Sequence, residues 1–235
     1  AGTGSEVTRN AVIGIPEAGR KVSLRDPRLY PALALVDPEL AARCPEGVAL
    51  ASGLDAVVQV IEPFVSCRAN PVTDALCRDA IPRGLVALRR VVEGHDAWDD
   101  MTLTSVMGGL ALANAGLGAV HGLAGVIGGL TGAAHGAICG AALVPVLQAN
   151  RAALPKGSAS RARIDWVIDT MTEVYGSAEG LQGWARDHGL PRLSDLGVTE
   201  ANRAMIAEEA RRSSSYAANP VDLGTEALIA VLEQG

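Results

Sequence analysis

Asp55, His121 and His135 are the residue types that bind a divalent transition metal: one carboxylate and two imidazoles. Asp55 lies in Gly53-Leu-Asp-Ala-Val-Val-Gln59, where apolar neighbours predict a buried helix, and Gln59 falls one turn later on the same helical face. A carboxylate in such a helix needs a partner or a cation, because burying it bare is costly. An arginine partner or a capping role would satisfy a lone aspartate equally well. His121 and His135 are each followed by glycine, and Gly128, Gly129 and Gly132 between them let the backbone turn tightly. Singly, either imidazole reads as a hydrogen-bonded core residue. Together with Asp55 and Gln59 they make a three- or four-ligand site with room for a substrate oxygen. His95 and His188, beside Asp96 and Asp187, read as solvated surface residues. Gly2-Thr3-Gly4-Ser5 offers backbone N–H groups to a phosphate, or is a plain turn.

The elements that must position these residues are mainly helical. Apolar periodicity and breakers predict helices over 46–65, 71–92, 98–115, 119–129, 135–153, 158–175, 178–188, 199–212 and 224–234. Pro63 reads as a helix end, and Pro82 as a kink inside a helix. Asp37-Pro38-Glu39-Leu40 is a helix start, with Asp as N-cap and Pro in the first turn. Ahead of it, residues 10–15 and 32–36 are short apolar runs that read as strands. The fold class is therefore mainly α, with a short β segment at residues 1–36 and a helical domain at 37–235. A lone strand pair is marginal without more sheet, which suggests an upstream domain of roughly 100–150 residues.

Composition narrows the function classes. The chain carries a net charge of −6, which argues against a nucleic-acid surface. Hydrophobic residues make up 49%, enough for a large core, while aromatics are only 3% and glycines number 27. Such a core suits closely approaching helices. Four scattered cysteines, Cys44, Cys67, Cys77 and Cys139, form no C-x-x-C pair and read as reduced cytoplasmic thiols. No Asp, Glu, Lys or Arg occurs between Asp100 and Arg151, a membrane flag. Glycine breaks and missing interfacial anchors favour a buried helical core instead.

The ordered series Ala1-Gly-Thr-Gly-Ser-Glu-Val-Thr8, Val36-Asp-Pro-Glu-Leu40, Ser52-Gly-Leu-Asp-Ala56, Asn70-Pro-Val-Thr-Asp-Ala75 and Asn114-Ala-Gly-Leu-Gly-Ala-Val-His121-Gly-Leu-Ala, followed by His135-Gly136, resembles the iron-containing (group III) alcohol dehydrogenase family. The resemblance covers nearly the whole chain. It implies the all-helical C-terminal domain of the dehydroquinate synthase-like fold, preceded by a remnant of the nucleotide-binding domain. It also implies Fe²⁺ or Zn²⁺ held by Asp55, His121 and His135, with Gln59 where the family usually places a further histidine. The metal would polarise an alcohol oxygen, and hydride would pass to NAD or NADP. Thr3, Thr8, Asn10 and Lys21 match positions that line the cofactor. Gly125 stands where many members carry a histidine thought to relay the proton.

The expected activity is thus hydride transfer on a small alcohol or aldehyde by a cytoplasmic homodimer or higher oligomer, with neither nucleic acid nor membrane as partner. The family's Gly-rich pyrophosphate loop has no counterpart here, so cofactor binding by this stretch alone is expected to be poor. Two alternatives remain at this point. One is a catalytically inactive helical module that needs a separate nucleotide-binding domain. The other is a relative resembling maleylacetate reductase or glycerol dehydrogenase.

Overall fold

The computed structural model describes residues 3–15, 17 and 20–235, with the side chains of Arg20 and Lys21 outside the description. Two strands, β1 (Asn10–Ile15) and β2 (Arg20–Arg25), form an antiparallel hairpin in which Asn10 pairs with Arg25 and Ile15 with Arg20. The expected strand at 32–36 is not formed: these residues are irregular, and Leu33 and Leu35 are 80% and 86% exposed. β1 takes the nearer partner, which a hairpin turn can deliver. Lys21-Val-Ser-Leu-Arg25 alternates polar and apolar residues, a period of two that marks it as strand.

Helices follow: α1 (Pro38–Ala41), α2 (Glu46–Val65), α3 (Pro71–Val92), α4 (Trp98–Ala115), α5 (Ala119–Thr131), α6 (His135–Ala153), α7 (Ala159–Tyr175), α8 (Ala178–Asp187), α9 (Glu200–Arg212) and α10 (Gly224–Gln234). Their boundaries have local causes. Asn70 opens α3 by accepting from the Val72 and Thr73 backbones while Thr73 accepts from the Asn70 N–H, with Pro71 at the first position. Asp37 caps α1 in the expected way. α3 runs through Pro82 as one helix. Pro63 lies in the last turn of α2, which ends at Val65 as expected. A proline removes one backbone bond, but the Phe64 ring, fully buried and seated on Trp166 and under the Arg163 guanidinium, carries the helix past it.

α2 is the axis of the fold. From Gly53 to Val65 every residue is buried, by α3, α4, α6 and α7. α5 lies on α6 and α9, and α10 covers α6 and α9 from the far side. α2 is long and apolar enough to cross a membrane, yet most of it is covered by its neighbours. The uncharged stretch after Asp100 is not straight: α4 and α5 meet at 101°. Gly116, in the left-handed region at φ 77°, makes the break that sends α5 away from α4.

One glycine fixes the approach of α6 to α2. A Cβ on Gly136 would fall 2.2 Å from the Ala51 carbonyl oxygen, so the two backbones touch directly beside His135. Gly136→Ala is therefore expected to cost about 1–3 kcal/mol as the helices part. Urea denaturation measures this, with Gly183→Ala in α8, where a Cβ meets nothing within 4 Å, as a control of unchanged or slightly higher stability.

Candidate metal centre

α2, α5 and α6 bring their polar groups to one point. Asp55 sits mid-way along α2, His121 in the first turn of α5, and His135 at the start of α6. His121 Nε2 lies 3.3 Å and His135 Nε2 3.7 Å from Asp55 Oδ1, and the two rings are 5.3 Å apart between centroids. Cys139, one turn after His135 on α6, joins them. One donor atom from each of Asp55, His121, His135 and Cys139 falls within 4.8 Å of the others. The contact between Asp55 Oδ1 and His121 Nε2 is not aligned as a hydrogen bond, and both buried atoms lack a hydrogen-bond partner. Two unpartnered ligand-type atoms facing one another fit a cation between them.

Gln59 is beside the cluster. Its Nε2 donates to Asp55 Oδ2 at 3.0 Å, while its own buried Oε1 has no hydrogen-bond partner. Asp55 is therefore steered by Gln59 on one oxygen and presents the other to the imidazoles.

Glu62 completes the arrangement, and sequence reasoning missed it. It lies two turns after Asp55 on α2, almost fully buried. Its Oε2 is 2.7 Å from His121 Nδ1, and its Oε1 accepts the Val120 N–H at 2.7 Å. The Ala119 N–H donates to Asn219 Oδ1. α5 thus begins at glycine with no cap of its own, and side chains from elsewhere satisfy its first N–H groups. A carboxylate at a helix N-terminus is favoured by the helix dipole. It also makes Nδ1 the donor, which leaves Nε2 to face Asp55. The signal was available: a lone acid in an apolar helix, seven residues after Asp55, shares its face.

The electrostatics follow from burial. Desolvation alone would raise the Asp55 carboxyl, but contact with His121, the charges of both imidazoles and the Cys139 thiol outweigh it and hold the group below its ordinary value. Burial would likewise lower the His121 imidazole, yet Asp55 and Glu62 on either side push it up to about 10. Burial, then the charges of Asp55 and Glu62, hold the Cys139 thiol well above the usual thiol range. Access is one-sided: the side chains of Asp55 and His121 are 3% and 6% exposed, that of His135 40%.

The residues expected to line a cofactor lie on the N-terminal segment. Thr3 is exposed and hydrogen-bonds the Ser5 hydroxyl. Thr8 is buried, donates to the Ser5 carbonyl and accepts the Asn10 N–H. Asn10 borders a cavity of about 150 Å³ with Arg9, Arg25, Arg68 and Asn114. The Lys21 side chain lies outside the described residues. Gly2-Thr3-Gly4-Ser5 is described from Thr3, and Gly4, at φ 59°, leads into a 3-10 turn on α4. His188 is half-buried, with Nδ1 2.8 Å from the Trp184 carbonyl and its ring tilted against that indole, whereas His95 is exposed as expected.

A bundle with a buried carboxylate–imidazole cluster defines a helical domain with a candidate metal centre, and comparison with known proteins names its family. The sequence model described as "Fe-containing alcohol dehydrogenase family, C-terminal" matches residues 49–235, and that of "Iron-containing alcohol dehydrogenase" matches residues 1–38. The chain is 33% identical to alcohol dehydrogenase 4 of Saccharomyces cerevisiae over 239 residues, covering all of this chain and 62% of that one. It is also 33% identical to the 1,3-propanediol dehydrogenase of Klebsiella pneumoniae, again over 100% and 62% of the two chains. Among solved structures, a 1,3-propanediol oxidoreductase superposes with a TM-score of 0.86 at 31% identity, covering 99% of this chain and 63% of that one. An iron-containing alcohol dehydrogenase from Thermococcus thioreducens gives 0.84 at 26% identity, covering 98% and 61%. The chain belongs to the iron-containing alcohol dehydrogenase family and spans about three fifths of the length of these relatives.

The charge on His121 carries a pH dependence. In chelator-treated protein its stabilising contribution is complete below the ordinary imidazole value of 6.5 and is lost as the pH rises through about 10. The urea midpoint of the metal-free protein is expected to fall across that window. In His121→Gln the fall should be smaller.

Proposed function

We propose that this chain is the metal-binding portion of an NAD(P)-linked alcohol dehydrogenase, acting by hydride exchange on a small alcohol or aldehyde. The observation that carries the reading is the convergence of Asp55 Oδ1, His121 Nε2 and His135 Nε2 at 3.3 and 3.7 Å inside a family whose relatives are named alcohol and propanediol dehydrogenases. Fe²⁺ or Zn²⁺ at this point would supply Lewis-acid polarisation of the substrate oxygen.

The chain's own residues prepare that chemistry. Asp55 brings negative charge, oriented by the Gln59 amide. Glu62 fixes the His121 tautomer and ties the ring to the first turn of α5. Burial of Asp55 and His121 keeps water from that side, so a substrate arrives past the half-exposed His135. Thr3, Thr8, Asn10 and Lys21 are the proposed cofactor contacts of the N-terminal segment. The nicotinamide cofactor needs further contacts, which we assign to the part of the relatives' length that this chain does not span.

The protein is expected to hold one divalent ion per chain by elemental analysis and to lose it in His121→Ala. Short aldehydes should support NAD(P)H oxidation by the full-length, metal-loaded protein. Failure with every short aldehyde would remove the dehydrogenase reading. Glu62→Gln is expected to weaken metal affinity by about 10–100-fold, because it takes the charge from the group that holds His121; competition with a chromophoric chelator reads the change.

A further inference from the structure

Cys139 places a buried thiol inside the carboxylate–imidazole cluster, in hydrogen-bond contact with His135. It is fully buried on α6, one turn beyond His135 on the same face, with Sγ 3.6 Å from His135 Nε2 and its thiol against the Asp55 carboxylate. Tetrahedral geometry sets what these separations should be. Nitrogen and oxygen donors about 2.0–2.2 Å from a zinc-type ion lie about 3.3–3.5 Å apart, and a nitrogen and a thiolate sulfur at about 2.3 Å lie about 3.6 Å apart. Three of the six separations are 3.3 Å for His121 to Asp55, 3.7 Å for His135 to Asp55 and 3.6 Å for His135 to Cys139, and all six lie within 4.8 Å. Asp55 Oδ1 and His121 Nε2, paired by charge at 3.3 Å, make no aligned hydrogen bond and are nearly inaccessible.

The competing donor is the Gln59 amide. Its nitrogen donates to Asp55 Oδ2, and its buried Oε1, which has no hydrogen-bond partner, is the oxygen alternative to the Cys139 sulfur. Cys77, the other fully buried thiol, is absent from any such group among the described residues, so burial alone does not produce the arrangement.

We propose that Cys139 binds the metal as a thiolate, so that Asp55, His121, His135 and Cys139 form a tetrahedral set suited to a borderline-soft divalent cation such as zinc or cobalt. On binding, the S–H bond breaks, its proton passes to solvent and a sulfur–metal bond forms. The proposal rests on the metal-binding reading above and adds the sulfur.

Cobalt(II) is the probe, added to protein in which Cys44 and Cys67, the two non-cluster thiols that are not buried, are serine. One bound cobalt with a thiolate-to-cobalt charge-transfer band in the near ultraviolet is expected. Cys139→Ser in that background should abolish the band and weaken cobalt binding by about tenfold or more. X-ray absorption of the zinc-loaded parent should show one sulfur neighbour at about 2.3 Å, a measurement that needs no change at Cys139. One bound cobalt without the band, and zinc with only nitrogen and oxygen neighbours, would overturn the thiolate while leaving the metal centre intact. A parent that binds neither ion would overturn both.

Discussion

Two carboxylates and one imidazole share the dry interior of an otherwise apolar bundle, and the architecture around them follows from keeping those charges compensated. Bare burial of either acid would cost several kcal/mol. Asp55 and Glu62 stand two turns apart on α2, and His121 bridges them, with Nε2 at Asp55 and Nδ1 at Glu62. The bridge requires α5 to start where its first turn can reach α2. The sharp bend after α4 and the glycines around it meet that requirement. Glu62 serves twice, since the oxygen not used by His121 satisfies an N–H that α5 would otherwise leave buried and unpaired. Removing one member would leave its partners charged without compensation, which makes the cluster a joint as well as a candidate site.

Local signals made most of the helices legible. Asn70-Pro71 carries both halves of a helix start in adjacent residues, and the structure begins α3 there. The limits of α2, α4 and α6 fall at the expected residues for similar reasons. The misplaced second strand shows where local reading stops. Ala32-Leu-Ala-Leu-Val36 is more apolar than Lys21-Val-Ser-Leu-Arg25, yet pairing depends on which segment a turn can return to β1. Pro63 sits in the last turn of α2, where the helix ends at Val65 as its expected range has it.

The site was legible in proportion to how distinctive its residues are. Asp55, His121 and His135 stand out as polar groups in apolar surroundings, and the fold gathers all three. Glu62 escaped notice and Cys139 was read as a plain reduced thiol, although each repeats on the helical face of a residue already singled out, seven positions after Asp55 and four after His135. Their meaning depends on α2, α5 and α6 facing one another, which no single helical repeat encodes. Gln59 was read as a donor to a cation. Its amide nitrogen bonds Asp55 Oδ2 while its oxygen has no hydrogen-bond partner, a detail set by side-chain direction and not by spacing.

The half-exposed ring of His135 gives the cluster a front and a back. The other three donors sit behind it, sealed by helices that would have to separate before anything could leave in that direction. Traffic through the centre is therefore single-file, with one imidazole as doorkeeper. An ion lodged there would meet solvent on one flank alone, so whatever reaches it must first pass the imidazole that stands half in water.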